Sequence, residues 1–169
     1  MRQITLIIVH CSAVRPDQTS SAAQIDTWHR RRGWKLGIGY HYVIRRDGSV
    51  EPGRPEYMVG AHCQGHNAHS IGVCYEGGLD EKGRAADTRT PAQKLTLYTL
   101  LVSLKQDYPD AEIVGHCELP EQRMPIELVR SWLSRDGSRP SHLEGVHKAC
   151  PCFSCSEYRD YFERNAKLA

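Results

Sequence analysis

Three residues of this chain could together bind a metal ion and leave it open for chemistry. Cys150 follows a cation, Lys148, by two residues, and His10 and His116 each end a run rich in β-branched residues. Strands of α/β sheets commonly deliver site residues from their carboxyl ends. Two imidazoles and one thiolate form a zinc site with three protein ligands, which leaves the fourth tetrahedral position for water. The pattern therefore predicts a catalytic rather than a structural zinc.

Each of these residues also has an ordinary interpretation. A single histidine at the end of a strand is more often a hydrogen-bonded structural residue than a ligand, so the prediction depends on the three occurring together. Cys152 is an alternative thiolate, although the position relative to Lys148 favours Cys150. Cys150, Cys152 and Cys155 could also be half of a zinc knuckle, but the sequence holds no second Cys/His pair with finger spacing.

The elements that must position these residues alternate between strands and helices. Strands are predicted at 4–10, 40–46, 71–75 and 112–115, with a hairpin turn at 46–49. Helices are predicted to begin after Ser20 or Ser21, at Thr90-Pro91 and near Ser156. This order predicts an α/β fold in one domain, residues 1–169, with a central mixed β-sheet flanked by helices.

One segment interrupts this order. Residues 118–147 contain Pro120, Pro125 and a short helical pattern at 126–133, and they lie between two predicted ligands. A long excursion at such a position can form a wall or lid of a site, or it can be a tolerated surface insertion. Both interpretations stay open.

Composition limits the class of protein. The chain has 169 residues, of which 40% are hydrophobic and 25% charged, and its net charge of +2 gives no reason to expect nucleic acid as a partner. The first apolar run is too short for a signal peptide or a membrane span, so we expect synthesis in the cytoplasm and no membrane insertion. The seven cysteines are an odd number without paired spacing, which favours reduced thiols.

Short motifs follow one another along nearly the whole chain. They include Val9-His10-Cys11-Ser12-Ala13, Trp28-His29, Gly33-Trp34, Gly39-Tyr40-His41-Tyr42, Val59-Gly60-Ala61-His62, Asn67, Ser70-Ile71-Gly72-Val73-Cys74, Gly77-Gly78, Thr90-Pro91-Ala92-Gln93 and Lys148-Ala149-Cys150-Pro151. In order and spacing they resemble the type 2 N-acetylmuramoyl-L-alanine amidases, the family of phage amidase lysozymes and peptidoglycan recognition proteins. The segment 118–147 is atypical of that family.

The resemblance implies both a site and a reaction. It implies one zinc ion per chain, bound by His10, His116 and Cys150 in a surface groove. It implies Tyr40 and Lys148 as catalytic residues. The reaction implied is hydrolysis of the amide between N-acetylmuramic acid and L-alanine in peptidoglycan. The expected partner is therefore peptidoglycan or its muropeptides, met by a monomeric enzyme that acts on the cell wall after release or delivery.

Several neighbouring residues have less certain roles. We expect His62 and Asn67 to contact the substrate. Tyr40 could instead fill the sheet, and His41, which alternates to the opposite face, is expected to be structural or to support a ligand. Glu118 could carry a proton or be a surface carboxylate.

One departure from the family pattern and two alternative functions remain to be considered. Many relatives have Asp after the aromatic residue of the Cys-Pro motif, whereas Ser154 follows Phe153 here. A noncatalytic peptidoglycan-binding module would share the fold, but such proteins lose the metal thiolate, and Cys150 argues against this alternative. A zinc peptidase acting within the stem peptide would use the same ligands and stays open.

Overall fold

The computed structural model describes residues 2–119 and 149–166. Its strands are β1 (Leu6–Cys11), β2 (Tyr42–Ile44), β3 (Val50–Pro52), β4 (Ser70–Tyr75) and β5 (Glu112–Gly115). Its helices are α1 (Ala22–Arg31), α2 (Pro91–Asp107) and α3 (Ser156–Ala166). Short 3-10 turns at Asn67–His69 and His116–Glu118 precede β4 and follow β5. Except for Glu118 and Leu119, the predicted insertion at 118–147 lies outside the described residues.

The sheet places β1 at the centre of its parallel part. The strand order is β3-β2-β4-β1-β5, in which β1 pairs in parallel with β4 and β5, β2 pairs in parallel with β4, and β3 is antiparallel to β2. The predicted mixed sheet is confirmed. The carboxyl ends of β1, β4 and β5 therefore meet at one edge of the sheet, which is where such sheets build their sites.

Helices cover both faces of the sheet. On one face, Leu97, Leu101 and Leu104 of α2 pack in a cluster with Ile7 and Val9 of β1. Tyr158 of α3 belongs to the same cluster. On the other face, α1 packs through Ile25 against Val43 and Cys74. Each fully buried leucine or isoleucine contributes about 1.5–3 kcal/mol to folding, so the two faces together fix the sheet between its helices.

The predicted helix starts are confirmed. Ser21, one of the two predicted caps, accepts a hydrogen bond from the Gln24 amide of α1, and the Gln24 side chain bonds back to Ser21. Thr90 and Gln93 form the same reciprocal capping box at the start of α2. A hydroxyl cap of this kind contributes about 1 kcal/mol, so the two helices begin where the sequence requires.

The second strand is shorter than predicted. A strand was expected over 40–46, but regular pairing covers only Tyr42–Ile44. Pro52 lies opposite Tyr42 and has no N–H to donate, so the regular ladder ends there. The next amides of the neighbouring segment, Gly53 and Arg54, donate instead to the carbonyls of His41 and Tyr40. Tyr40 is therefore held just outside the strand.

Over the described ranges, none of the helices combines the length and apolar character needed to cross a membrane.

Candidate metal centre

Two neighbouring strands bring His10 and His116 together. His10 is near the carboxyl end of β1, and His116 is the first residue after β5. Because Val9 is paired with Gly115 in the parallel register, the two histidines follow at the same level of adjacent strands. Their ring centroids are 4.6 Å apart.

Cys150 completes the cluster from the C-terminal segment. Its Sγ lies 3.8 Å from His10 Nδ1, and the ligand atoms of His10, His116 and Cys150 all lie within 4.8 Å of one another. A tetrahedral zinc with bonds of about 2.0 Å to nitrogen and 2.3 Å to sulfur holds its ligand atoms roughly 3.3–3.5 Å apart. The three residues therefore fit a zinc ion after only small side-chain movements. His10 and Cys150 are buried, whereas His116 is half-buried.

The competing thiol, Cys152, is directed elsewhere. Its Sγ lies 3.7 Å from Cys11 Sγ and donates to the Gly78 carbonyl at 3.2 Å. A hydrogen bond with Cys11, together with burial, raises the pKa of Cys152, so it stays a thiol at neutral pH. Of the two thiols that the sequence left as candidates, the structure brings Cys150 to the histidines.

Backbone contacts hold the segment that carries Cys150. The Cys150 carbonyl accepts a hydrogen bond at 2.7 Å from the amide of Cys117, the residue that follows His116. The next carbonyl, of Pro151, accepts from the buried Tyr75 hydroxyl at 2.7 Å. The Cys11 amide points at Cys150 Sγ at 3.3 Å. These contacts hold the Cys150 side chain beside the histidines.

Tyr40 borders this cluster. Its ring centroid is 5.1 Å from that of His10. Burial, followed by the nearby thiols of Cys74 and Cys150, raises the pKa of the Tyr40 phenol. The hydroxyl therefore stays protonated at neutral pH and can donate a hydrogen bond. Its predicted partner in catalysis, Lys148, lies outside the described residues.

The two predicted substrate residues have partners within the protein. Both ring nitrogens of the buried His62 face side chains, with Nδ1 3.1 Å from His10 Nε2 and Nε2 3.3 Å from Ser70 Oγ. Asn67 Oδ1 accepts hydrogen bonds from the backbone amides of His62 and Cys63, at 2.8 and 2.9 Å. Asn67 thus shapes the loop that carries His62. Contact of either residue with substrate stays a prediction.

His41 has the contacts of a structural residue, which is one of the two roles predicted for it. It is buried, and its Nδ1 accepts a hydrogen bond from the Gly72 amide of β4 at 2.9 Å. Its Nε2 lies 3.2 Å from both Arg2 Nη2 and the Met58 carbonyl. Burial lowers the pKa of His41 to about 4, so the ring is neutral at physiological pH.

Glu118 is a brace between β5 and α3. Its carboxylate accepts hydrogen bonds from the amides of Gly115 and Cys155 and from the Arg159 guanidinium. Burial alone would raise the pKa of Glu118, but these bonds outweigh it and lower the pKa. The carboxylate is therefore ionised and fully engaged, which favours a structural role over that of a proton carrier.

The sequence did not indicate the residue that anchors the C-terminal segment, Arg89. Its side chain is only 2% exposed. The guanidinium donates to both carboxylate oxygens of Asp87, to Glu157 and to the Tyr158 hydroxyl, all within 2.7–2.9 Å. It also stacks on the Phe153 ring, 3.2 Å from the centroid. Arg89 was hard to find because charged side chains are rarely buried and because three of its partners, Phe153, Glu157 and Tyr158, lie 64 to 69 residues along the chain.

This fold and this cluster define a class: an α/β domain with a His–His–Cys set at the carboxyl edge of its parallel strands. The profile of the N-acetylmuramoyl-L-alanine amidase family matches residues 1–132, so the chain belongs to that family. The family, fold class and amidase enzyme class predicted from the motifs are confirmed.

Individual relatives agree with this assignment. The chain is 46% identical over 127 residues to the endolysin of Escherichia phage T7, which covers 75% of this chain and 83% of the endolysin. A solved N-acetylmuramoyl-L-alanine amidase from Clostridium intestinale is 32% identical and aligns with a TM-score of 0.60 over 78% of this chain and 86% of that one. Drosophila PGRP-LB, at 20% identity and a TM-score of 0.60 over 85% and 86% of the two chains, shares the fold.

Proposed function

We propose that this cell-wall amidase hydrolyses the amide between N-acetylmuramic acid and L-alanine with a zinc ion held by His10, His116 and Cys150. The observation that carries the proposal is the convergence of these three side chains, whose ligand atoms lie within 4.8 Å of one another. Two neutral imidazoles and one thiolate leave a bound Zn²⁺ with a net charge of about +1, which favours the negative charge that develops on the scissile carbonyl.

The chain's own residues would prepare the site for this reaction. When bound, zinc supplies Lewis acidity that activates water and polarises the carbonyl at neutral pH. The protonated phenol of Tyr40, beside the His10 ring, can donate a hydrogen bond to the tetrahedral oxyanion. Lys148 precedes the proposed thiolate ligand Cys150 by only two residues in the sequence. We therefore assign oxyanion stabilisation to Tyr40 and Lys148.

Peptidoglycan is the proposed substrate, and the cell wall the proposed place of action. The similarity to a phage endolysin supports both. His62 and Asn67 remain proposed substrate contacts. A peptidase acting on the stem peptide would need the same ligands, so the position of the cut bond has to be measured.

Mass spectrometry of purified muropeptides tests the reaction. An amidase releases an intact glycan and an intact stem peptide that begins with L-alanine, whereas a peptidase shortens the stem. We expect the first pattern, its loss on treatment with a chelator, and its return when zinc is added back. Truncated stem peptides would show that the enzyme is a peptidase and not an amidase. A full rate without metal would reject the zinc mechanism.

A matched pair of variants tests the ligand set. We expect Cys150→Ser to lose most of the activity and much of the zinc affinity, since it removes the only anionic ligand of the set. Cys152→Ser is the control, because that thiol faces Cys11 and Gly78 instead of the histidines. Full zinc content in Cys150→Ser with loss in Cys152→Ser would show that the thiolate is misassigned.

A further inference from the structure

A chain of buried hydrogen bonds leads from His10 away from the metal centre. We infer that His62 is a positioning residue that accepts a hydrogen bond from His10 Nε2–H and so leaves His10 Nδ1 as the lone pair available to the metal. The inference rests on the proposed metal site. We call the set formed by His10, His62, Ser70 and the His66 carbonyl the His62 relay.

The direction of each bond in the relay follows from its far end. The His66 carbonyl can only accept, so the Ser70 hydroxyl, 2.8 Å away, donates to it. Ser70 Oγ then accepts from His62 Nε2–H at 3.3 Å. A neutral imidazole carries a single N–H, so His62 Nδ1 must accept, and the donor 3.1 Å away is His10 Nε2–H. His10 is left with an unprotonated Nδ1, the nitrogen that lies 3.8 Å from Cys150 Sγ.

The arrangement requires a neutral His62 ring. The ring is buried and both of its nitrogens face protein side chains, surroundings that disfavour a charged imidazolium. A charged His62 would have to donate from both nitrogens, and His10 would then have to turn its lone pair toward His62 and away from Cys150. The neutral relay and a metal-ready His10 are therefore linked.

The backbone is shaped to hold the His62 ring in this position. A Cβ at Gly72 of β4 would lie 2.6 Å from His62 Cγ and Cδ2, and one at Gly60 would lie 2.5 Å from Cδ2. Real Cβ atoms do not approach carbon so closely, so both positions need glycine while the ring is there. Asn67 fixes the other side by accepting the His62 amide proton at 2.8 Å. The slot specifies an imidazole in one orientation.

The relay gives His62 a role in metal binding beyond its proposed contact with the substrate. Groups that orient a metal-binding histidine through its second nitrogen usually change metal affinity or activity by about 10–100-fold when removed. A residue that contacts only substrate changes KM and leaves metal affinity untouched. Zinc affinity in the absence of substrate therefore separates the two roles.

Competition of the purified full chain with a chromophoric zinc chelator measures that affinity. We expect His62→Leu, which removes the acceptor, to weaken zinc binding by about 10–100-fold. His62→Asn can place an oxygen near the position of Nδ1, so it should recover most of the loss. His69→Gln is the control, since the side chain of His69 contacts the His66 ring, whereas the relay uses only the His66 carbonyl. Equal zinc affinity in wild type and His62→Leu overturns the inference.

Nitrogen NMR of the wild-type chain gives a second test that needs no variant to fold. Long-range proton–nitrogen correlations distinguish the two tautomers of each histidine. In metal-free protein we expect His10 and His62 both to carry their proton on Nε2. A proton on His10 Nδ1 would overturn the relay, even if zinc binds. Failure of the wild type to bind zinc, with the Nε2 tautomers present, would instead reject the proposed function.

Discussion

Removing the Arg89 guanidinium should loosen the C-terminal segment and lower the free energy of unfolding. The loss should be larger than for the same change at a surface arginine. In Arg89→Met the side chain keeps its length but loses its bonds to Asp87, Glu157 and Tyr158 and its stacking on Phe153. Breaking a buried charge pair costs about 3–5 kcal/mol. The carboxylates of Asp87 and Glu157 are 31% and 53% exposed and can be rehydrated, so we expect the lower end, about 3 kcal/mol.

Arg84→Met is the matched control. Arg84 is also paired with an aspartate, Asp80, at 2.7 Å, but its side chain is 71% exposed. Such a surface pair contributes little to stability, because water and salt screen it. The two variants therefore make the same chemical change in buried and in exposed surroundings.

Urea unfolding at pH 7 and thermal unfolding measure the difference. A loss of about 3 kcal/mol lowers the Tm of a domain of this size by roughly 6–12 °C, whereas Arg84→Met should leave it nearly unchanged. Zinc affinity should also fall in Arg89→Met, since Phe153 follows Cys150 by three residues. Equal unfolding free energies for the two variants would refute the anchoring role of Arg89.

Further predictions concern acid stability and turnover. Burial alone would raise the pKa of the Glu76 carboxyl, but hydrogen bonds from Arg45 and two amides outweigh burial and lower this pKa. The ionised carboxylate therefore stabilises the folded state fully above the unfolded pKa of about 4.3. This stabilisation is lost as the pH falls through the lower folded pKa. Glu76→Gln should therefore be less stable at pH 7 and show a smaller loss of urea midpoint between pH 5 and 3; an unchanged pH profile would contradict this. Tyr40→Phe should retain zinc but turn over more slowly, and Lys148→Ala should retain zinc with turnover lower by roughly two to three orders of magnitude. Normal kcat in both, with zinc content measured in parallel, would show that neither group takes part.

The meeting of His10 and His116 could be predicted, although they are distant in the sequence, because each one follows a recognisable strand pattern. His10 and His116 each come at the end of a β-branched run, and parallel strands place such ends at one edge. The choice of Cys150 over Cys152 followed from spacing alone, and the structure brings the same thiol to the histidines. The helix starts could also be predicted, since a capping box is formed by residues within a stretch of four.

Contacts that loop residues make with distant segments could not be predicted from strand and helix patterns. The bond between His62 and His10 joins residues 52 positions apart, and it depends on a loop whose shape Asn67 sets from within. The residue after Phe153 gives a second example. Many relatives have Asp there, and here Ser154 Oγ accepts the Ser156 amide at the start of α3, while the Glu118 carboxylate lies 3.3 Å away. A hydroxyl thus provides the cap, and a remote residue provides the negative charge.

The central position of β1 also sets when the chain can fold. Of the described strands, β1 is made first, yet Leu6 pairs with Ser70 on one side and with Glu112 on the other. Its apolar side chains therefore wait for β4 as a first partner and for β5 as a second, which predicts slow folding, in milliseconds to seconds, and a need for chaperones at high expression. Cys150 emerges later still. With Cys150 as a proposed metal ligand, this hydrolase is expected to act on no bond until that residue has been made.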